Sequence, residues 1–250
     1  MSGHSKWANI KHRKSKVDAQ RGKLFTKIGR EILLAAKAGG GDPNTNQRLK
    51  TAIARAREAN MPVDNIQRCV LRGTGELDSV SFEEITYEGY GPGGVAILLN
   101  IATDNRNRTA PEIRHLFSRA GGSLGESGCV AWMFKRRGVL TIDLAATGRD
   151  EDELLLLALD AGAEDVEVED GTAEIYTQPE DFEQVKESLS GHGISFVRSE
   201  ISMIPDNTIE VGDGEQAATL LRLMDALEDH DDVQDVYANF DIPEELLESM

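Results

Sequence analysis

The sequence has few cysteines and lacks the long apolar runs on which several classes of protein depend. Only two of its 250 residues are cysteine, too few for a disulfide framework, and neither Cys69 nor Cys129 stands in a CxxC pair. No run of 18 apolar residues occurs, which excludes a transmembrane helix. The basic N-terminus has no apolar stretch behind it, so we expect no secretory signal and a reducing, cytoplasmic location.

Motifs of catalysis are missing as well. The sequence contains no HExxH, no GxSxG and no paired-cysteine metal pattern. The glycine-rich turn GYGPGG at 89–94 lacks the GK[ST] of a phosphate-binding P-loop. The many carboxylates of the C-terminal half stand near no suitable histidine or nucleophile in the sequence. We therefore predict no catalytic residues, no cofactor and no enzyme activity, with an enzyme of unrecognised class as the alternative.

A metal site is conceivable only at the N-terminus. If Met1 is removed, Ser2-Gly3-His4 offers an amine, amides and an imidazole for square-planar Cu(II) or Ni(II). Three such residues arise easily by chance, so we predict no physiological metal there.

Negative charge dominates the whole chain, with a net of −17, but it is distributed unevenly. Residues 1–75 carry 16 Lys+Arg against 5 Asp+Glu, residues 76–138 carry 7 against 8, and residues 139–250 carry 4 against 31. A chain polarised in this way has one end suited to polyanions and another that repels them. We therefore expect nucleic acid to contact the first 75 residues, and the acidic remainder to face solvent or a basic protein.

Apolar spacing predicts three helices after a basic arm at 1–18. The first helix runs from about Ala19 to Ala38 and ends at the glycines of 39–41. Asp42-Pro43 is typical of a helix start and predicts the second helix. The third is short and stops at Gly73. These helices with brief connections predict a small N-terminal bundle.

The rest of the sequence alternates between strand and helix patterns. Two strands precede a helix opened by a capping box at Thr109–Glu112, and Val130–Phe134 follows as an apolar strand. Residues 139–205 have the order βαββαβ of a ferredoxin-like domain, and residues 206–250 add a helix and a strand. We therefore predict an α+β multidomain fold, in which an N-terminal three-helix domain is followed by two α/β ferredoxin-like domains, one inserted in the other. The predicted domains are 1–76, then 77–134 plus 206–250, with 135–205 inserted between these two parts.

Cations recur at helical spacing on the first helix. Lys23, Lys27, Arg30 and Lys37 form a narrow row, called the basic stripe below, opposite the apolar face. Few acidic residues stand nearby at i,i+4 spacing, so we expect most of these cations to be unpaired. The stripe is then free to lie along a phosphate backbone.

Other candidate residues lie in the arm, in the second helix and in one loop. Trp7 stands among the cations of the arm, a combination suited to base stacking and phosphate contact, although it could instead dock into a core. Arg106 and Arg108 precede a predicted helix and either grip phosphate or belong to a self-structuring loop. The predicted nucleic-acid-binding residues are Lys6, Trp7, Lys11, His12, Arg13, Lys14, Lys16, Arg21, Lys23, Lys27, Arg30, Lys37, Arg48, Lys50, Arg55, Arg57, Arg106 and Arg108.

Eight stretches of the sequence have a pattern shared with known proteins: GHSKWANIKHRK (3–14), RGKLFTKIGREI (21–32), GGGDPNTNQRLKTAI (39–53), ANMPVDNI (59–66), YEGYGPGGVAILL (87–99), TDNRNRT (103–109), GGSLGESGCVAWMF (121–134) and VYANF (236–240). In these stretches the chain resembles the YebC/PmpR family of probable transcriptional regulators, whose relatives include a mitochondrial translational activator. The resemblance implies a helical N-terminal domain and two α/β domains, the third inserted in the second, and it implies no catalytic residues.

Two nucleic-acid partners stay open. The family description favours a DNA-binding transcriptional regulator. The alternative is a ribosome- or RNA-associated translation factor, whose arm would reach rRNA or tRNA. A lysine-rich stripe without a clear helix-turn-helix favours phosphate positioning over base readout. The acidic C-terminal half would be repelled by naked duplex, which favours the ribosome.

Overall fold

A bundle of three helices begins the part of the chain that the computed structural model describes, which comprises residues 18–78, 81–169, 171–243 and 246. The helices are α1 (Asp18–Gly39), α2 (Gln47–Glu58) and α3 (Val63–Gly73). Ile28 and Ile32 of α1, Leu49 of α2 and Ile66 of α3 form the buried core. The three predicted helices are confirmed.

Strands and helices then alternate. The strands are β1 (Glu83–Tyr90), β2 (Ala96–Thr103), β3 (Ser123–Leu124), β4 (Phe134–Asp143), β5 (Asp165–Glu169), β6 (Thr172–Thr177), β7 (Arg198–Pro205), β8 (Ile209–Glu210), β9 (Val233–Ala238) and β10 (Phe240–Asp241). The helices are α4 (Arg106–Arg119), α5 (Leu144–Thr147), α6 (Glu151–Ala161), α7 (Phe182–Gly191) and α8 (Gly214–Glu228). Single 3₁₀ turns occupy Pro92–Gly94 and Ala131–Met133. No helix of the described residues has the length and apolar character needed to cross a membrane.

The first sheet joins two distant parts of the chain. Its order is β3-β1-β2-β9, with antiparallel pairs throughout. Helices α4 and α8 cover one face, where Ile97 and Leu99 of β2 pack against Phe117 and Leu220. On the other face, Leu98 packs with buried residues that include Phe134. This sheet is therefore one α/β unit although more than 100 residues separate β3 from β9.

The second sheet lies between these two parts and has the order β5-β6-β4-β7. That order and the intervening helices make a ferredoxin-like βαββαβ unit. Its core packs Leu140 and Ile175 of the sheet against Leu154 of α6 and Val185 of α7. Strands β4 and β7 are antiparallel, and Phe134 pairs with Pro205, so the inserted segment begins and ends at neighbouring positions. The predicted α+β fold with an inserted ferredoxin-like domain is confirmed, and the residue boundaries of the domains stay a prediction.

Three local predictions are wrong. Helix α2 begins at Gln47 and is capped by the Asn46 side chain, so Asp42-Pro43 belongs to the preceding turn. Helix α4 begins at Arg106 and is capped by the Asn105 side chain, so Thr109 lies inside the helix and its hydroxyl bonds the buried Asp232 carboxylate. Most of Val130–Phe134 forms a 3₁₀ turn, and the strand begins only at its last residue.

Close packing at Gly138 of β4 gives a stability test for the inserted domain. A Cβ there would lie 2.5 Å from Phe182 Cδ2 and would also clash with Thr177 Oγ1. We expect Gly138→Ala to lower the free energy of unfolding by about 1–3 kcal/mol, the usual cost of overpacking. Urea denaturation measures this change in the free energy of unfolding. Gly191→Ala in α7 is the control, since its Cβ would meet nothing within 4 Å; equal stability of both variants would contradict the packing argument.

Candidate nucleic-acid interface

The basic stripe of α1 faces the second domain. Lys27 Nζ donates to the Glu228 carbonyl at 2.7 Å, and Lys23 Nζ lies 3.4 Å from the Asp229 carboxylate. Lys23 also donates to the Asp229 carbonyl at 3.3 Å. These carbonyls are at the C-terminus of α8, where the helix dipole places partial negative charge. The first half of the stripe therefore docks on the negative end of α8.

The second half of the stripe continues this contact. Arg30 donates to the Asp231 carbonyl and, at 3.2 Å, to Asp232 Oδ1. Its guanidinium also lies 5.0 Å from the centre of the Phe82 ring, within cation–π range. Lys37 Nζ donates to the Phe82 carbonyl at 3.3 Å. The stripe thus binds residues at one end of the first sheet, where β1 and β9 both begin.

The expectation that most of these cations are unpaired is wrong. All four have hydrogen-bond acceptors in residues that follow the bundle. For Lys23, Lys27 and Arg30 these acceptors lie more than 200 positions along the chain. Spacing rules within one helix consider only neighbours three or four positions away, so they cannot detect such partners.

Asp232 is the centre of this contact. Its side chain is only 2% exposed. Oδ2 accepts hydrogen bonds from Arg108 at 2.7 Å, Thr109 at 2.7 Å and Thr103 at 3.1 Å, while Oδ1 faces Arg30. Burial raises the pKa of Asp232, but these hydrogen bonds outweigh it and hold the pKa below its ordinary value. One ionised carboxylate therefore binds α1, β2 and the first turn of α4 together.

The first turn of α4 contains Arg106 and Arg108, and the Asn105 side chain caps it. Arg108 bonds Asp104 at 3.0 Å in addition to Asp232, so its guanidinium is already engaged. The Arg106 side chain is exposed and has no hydrogen bond or ion pair within the described ranges. The two arginines of the predicted phosphate grip therefore differ in availability.

The cations of α2 also fall into two groups. Arg48 forms an ion pair with Glu84 of β1, and Arg55 lies 3.3 Å from Glu31 of α1. Burial raises the pKa of Glu31, although Arg55 opposes this. The side chains of the remaining two are exposed and, in the part of the chain that the structure describes, have no ion pair or hydrogen bond. These unengaged residues are Lys50 and Arg57.

The predicted arm lies outside the described residues. It carries Lys6, Trp7, Lys11, His12, Arg13, Lys14 and Lys16. Arg21 lies in the first turns of α1. The prediction that these residues bind nucleic acid stays a prediction.

Sequence reasoning missed the acidic partners of the stripe. Asp232 stands in the segment HDDVQD, which reads as part of a diffuse acidic surface. The only local signal was its position directly before an apolar strand, and that position does not distinguish a buried carboxylate from an exposed one. Only the packing of α1 across the end of α8 shows its role.

A cleft of about 2060 Å³ opens between the bundle and both sheets. It is lined by α1 and α2 on one side, by β2 and β9 at its base and by β7 and α7 opposite. Eight cationic and eight acidic residues line it, so the cleft has no net charge. Among the described residues, no group of three His, Cys, Asp or Glu side chains is arranged to hold a metal ion.

Comparison with known proteins gives matches along nearly the whole chain. A model described as the TACO1/YebC protein N-terminal domain matches residues 5–76, and one described as the TACO1/YebC second and third domain matches residues 82–240. A "Probable transcriptional regulatory protein" of Halothermothrix orenii is 59% identical over 100% of this chain and 99% of its own length. A protein of the same description from Moorella thermoacetica is 60% identical, with the same coverage of both chains.

A solved structure shares the fold. The crystal structure of a conserved hypothetical protein from Aquifex aeolicus matches with a TM-score of 0.83 and 49% identity. The match covers 94% of this chain and 96% of that one. The three-domain architecture is therefore common to both proteins.

Acid should weaken the contact made by Asp232. Because its pKa is lower in the folded protein, its stabilising contribution is complete above the unfolded-state pKa of about 3.9 and disappears as the pH falls through the lower folded value. We expect Asp232→Asn to lower the free energy of unfolding at pH 7 by about 1–3 kcal/mol and to flatten its dependence on pH below about 4. Urea denaturation at several pH values measures both effects.

Asp229→Asn is the matched control. Its carboxylate is 71% exposed and pairs only with a half-exposed lysine in the described structure, so we expect a change below about 1 kcal/mol. An equal loss in both variants would show that burial of Asp232 does not matter.

Proposed function

The chain belongs to the TACO1/YebC family, and from this premise we propose that it regulates gene expression by binding nucleic acid through its N-terminal domain. Relatives that match it over their whole length are named probable transcriptional regulatory proteins. These names indicate a regulatory protein and not an enzyme. The contact with nucleic acid, its location and the choice between DNA and RNA are our proposals.

The observation that carries the proposal is the separation of charge along the chain. The first 75 residues have 16 Lys+Arg against 5 Asp+Glu, whereas residues 139–250 have 4 against 31. Phosphate backbones bind where cations are concentrated and acidic residues are sparse. The N-terminal domain is the region of this chain with that property.

The bundle has exposed cations besides those that dock on the second domain. Lys50 and Arg57 are seven positions apart on α2, so they lie near one side of the helix. Arg68 and Arg72 are four positions apart on the exposed part of α3. None of the four side chains has a hydrogen bond or ion pair within the described ranges. We assign phosphate contact to these residues, to Arg106 and to the arm, and we assign the basic stripe mainly to domain docking.

DNA is the partner that the relatives' names favour, and we propose it first. An RNA on the ribosome is the second candidate, favoured by the acidic C-terminal half, which naked duplex would repel. Both cysteines are unpaired thiols, in agreement with the reducing cytoplasm where either partner is found.

Crosslinking followed by sequencing of the bound nucleic acid distinguishes DNA from RNA as the partner. Recovery of ribosomal RNA alone would overturn the DNA proposal.

Salt dependence tests the assignment of phosphate contacts. We expect Lys50→Glu with Arg57→Glu to weaken binding and to reduce the slope of log K against log salt by about two units, one for each lost contact. Fluorescence anisotropy with labelled duplex DNA and single-stranded RNA measures the slope. Arg222→Glu is the control, since this exposed arginine of α8 bonds the Ala218 carbonyl within its own helix. A slope unchanged by the double substitution would remove α2 from the interface.

A further inference from the structure

Trp132 is the most exposed large apolar side chain of the described residues, at 70%. The other exposed residues of this kind are Leu24, Val63, Leu71, Leu77, Leu156, Leu159 and Val197. None of them belongs to the loop that carries Trp132 or to the strand that follows it. An exposed tryptophan loses the free energy of burying a large apolar surface, so its exposure calls for a physical explanation.

A buried carboxylate builds the loop that carries this tryptophan. Glu88 of β1 is 4% exposed and accepts the backbone N–H groups of Gly128, Val130 and Ala131 at 2.6–2.7 Å. Burial raises the pKa of Glu88, but these three hydrogen bonds outweigh it and hold the pKa below its ordinary value. The loop is therefore attached to the sheet by an ionised group at the residues just before Trp132.

The indole itself is also held in place. Its Nε1 donates to the Cys129 carbonyl at 3.2 Å, and the Tyr90 hydroxyl donates to the same carbonyl at 3.1 Å. The loop packs so closely that a Cβ on Gly125 would lie 2.5 Å from Cys129 Sγ. The ring is thus oriented before any partner arrives, which lowers the entropy cost of binding.

Cations begin three residues after the tryptophan. The second to fourth residues of β4 are Lys135, Arg136 and Arg137, and Lys135 is paired with Asp206 at 2.8 Å. The Arg136 side chain is exposed and has no hydrogen bond or ion pair among the described residues. Arg136 lines the cleft together with Ala131, the residue before Trp132. The exposed indole and the available guanidinium are therefore four positions apart in a segment that lines this cleft.

We propose that Trp132 and Arg136 form a binding site for an unpaired base and its phosphate in single-stranded nucleic acid. The indole would stack on the base, which every base permits, and the guanidinium would contact the backbone. A protein that docks on an extended apolar patch is disfavoured here, since this loop and strand expose no second large apolar side chain. The proposal rests on the proposed function and adds a second contact surface outside the N-terminal domain.

The two tryptophans of the chain make a direct test possible. Trp7→Phe keeps an aromatic ring in the arm and leaves Trp132 as the sole tryptophan. We expect the fluorescence of this full-length variant to be quenched by a single-stranded oligonucleotide and much less by a blunt duplex of the same length. We expect Trp132→Ala, in the otherwise unchanged chain, to weaken single-strand binding by about 5- to 150-fold, the range found for one stacked base. We expect Trp132→Phe, which keeps an aromatic ring, to retain most of the single-strand affinity that Trp132→Ala loses.

Control variants distinguish a failure of the stacking site from a failure of the proposed nucleic-acid-binding function. Leu156→Ala removes a comparably exposed apolar side chain, 64% exposed, from the inserted domain and should leave binding unchanged. Arg136→Gln should weaken binding and lower its salt dependence. If the protein binds nucleic acid but Trp132 is not quenched and Trp132→Ala binds normally, the stacking site is overturned and the proposed function stands. If the unmodified chain binds neither single strand nor duplex, the proposed function fails and this site with it.

Discussion

The ion pair between Arg30 and the buried Asp232 carboxylate fixes how the helical bundle sits on the rest of the molecule. Asp232 is also bonded by Arg108, Thr109 and Thr103, so the same group sets the start of α4 and the end of β2. A charge buried in this way is tolerated because its lone pairs meet charged and hydroxyl donors. Removal of the carboxylate would take a shared acceptor from donors in both domains at once, although Arg30 would keep the Asp231 carbonyl and Arg108 would keep Asp104.

This contact divides the cations of the bundle by role. The basic stripe contacts the negative end of α8 and holds the domains together. The cations of a second group are exposed to solvent: Lys50 and Arg57 of α2, and Arg68 and Arg72 of α3. A count of charges in the sequence treats both groups alike. The distinction matters for function, because a phosphate backbone must compete with protein carbonyls and carboxylates for the stripe but not for the exposed cations.

Glu88 has a similar part elsewhere in the second domain. It too is a buried, ionised carboxylate, and it converts a glycine-rich segment into a fixed loop that presents Trp132 beside Arg136. The proposed stacking site thus depends on an acidic group that the nucleic acid would not touch. A chain with a net charge of −17 therefore uses some of its acidic residues to hold loops and domains in place.

The sequence by itself determined the order of helices and strands, the three-helix bundle and the inserted βαββαβ unit, because apolar periodicity and turn residues act over a few neighbouring positions. It also located the excess of positive charge. The 3₁₀ turn around Trp132 and the partners of the basic stripe follow from the tertiary structure, because each depends on a group distant in sequence: Glu88 for the turn, and residues 228–232 for most of the stripe. The helix starts at Asn46 and Asn105 are instead local caps, since each side chain accepts the backbone N–H three residues ahead, and apolar spacing alone did not locate them. Whether a cation is available or already bound is a property of what folds against it, and spacing along one helix does not contain that information.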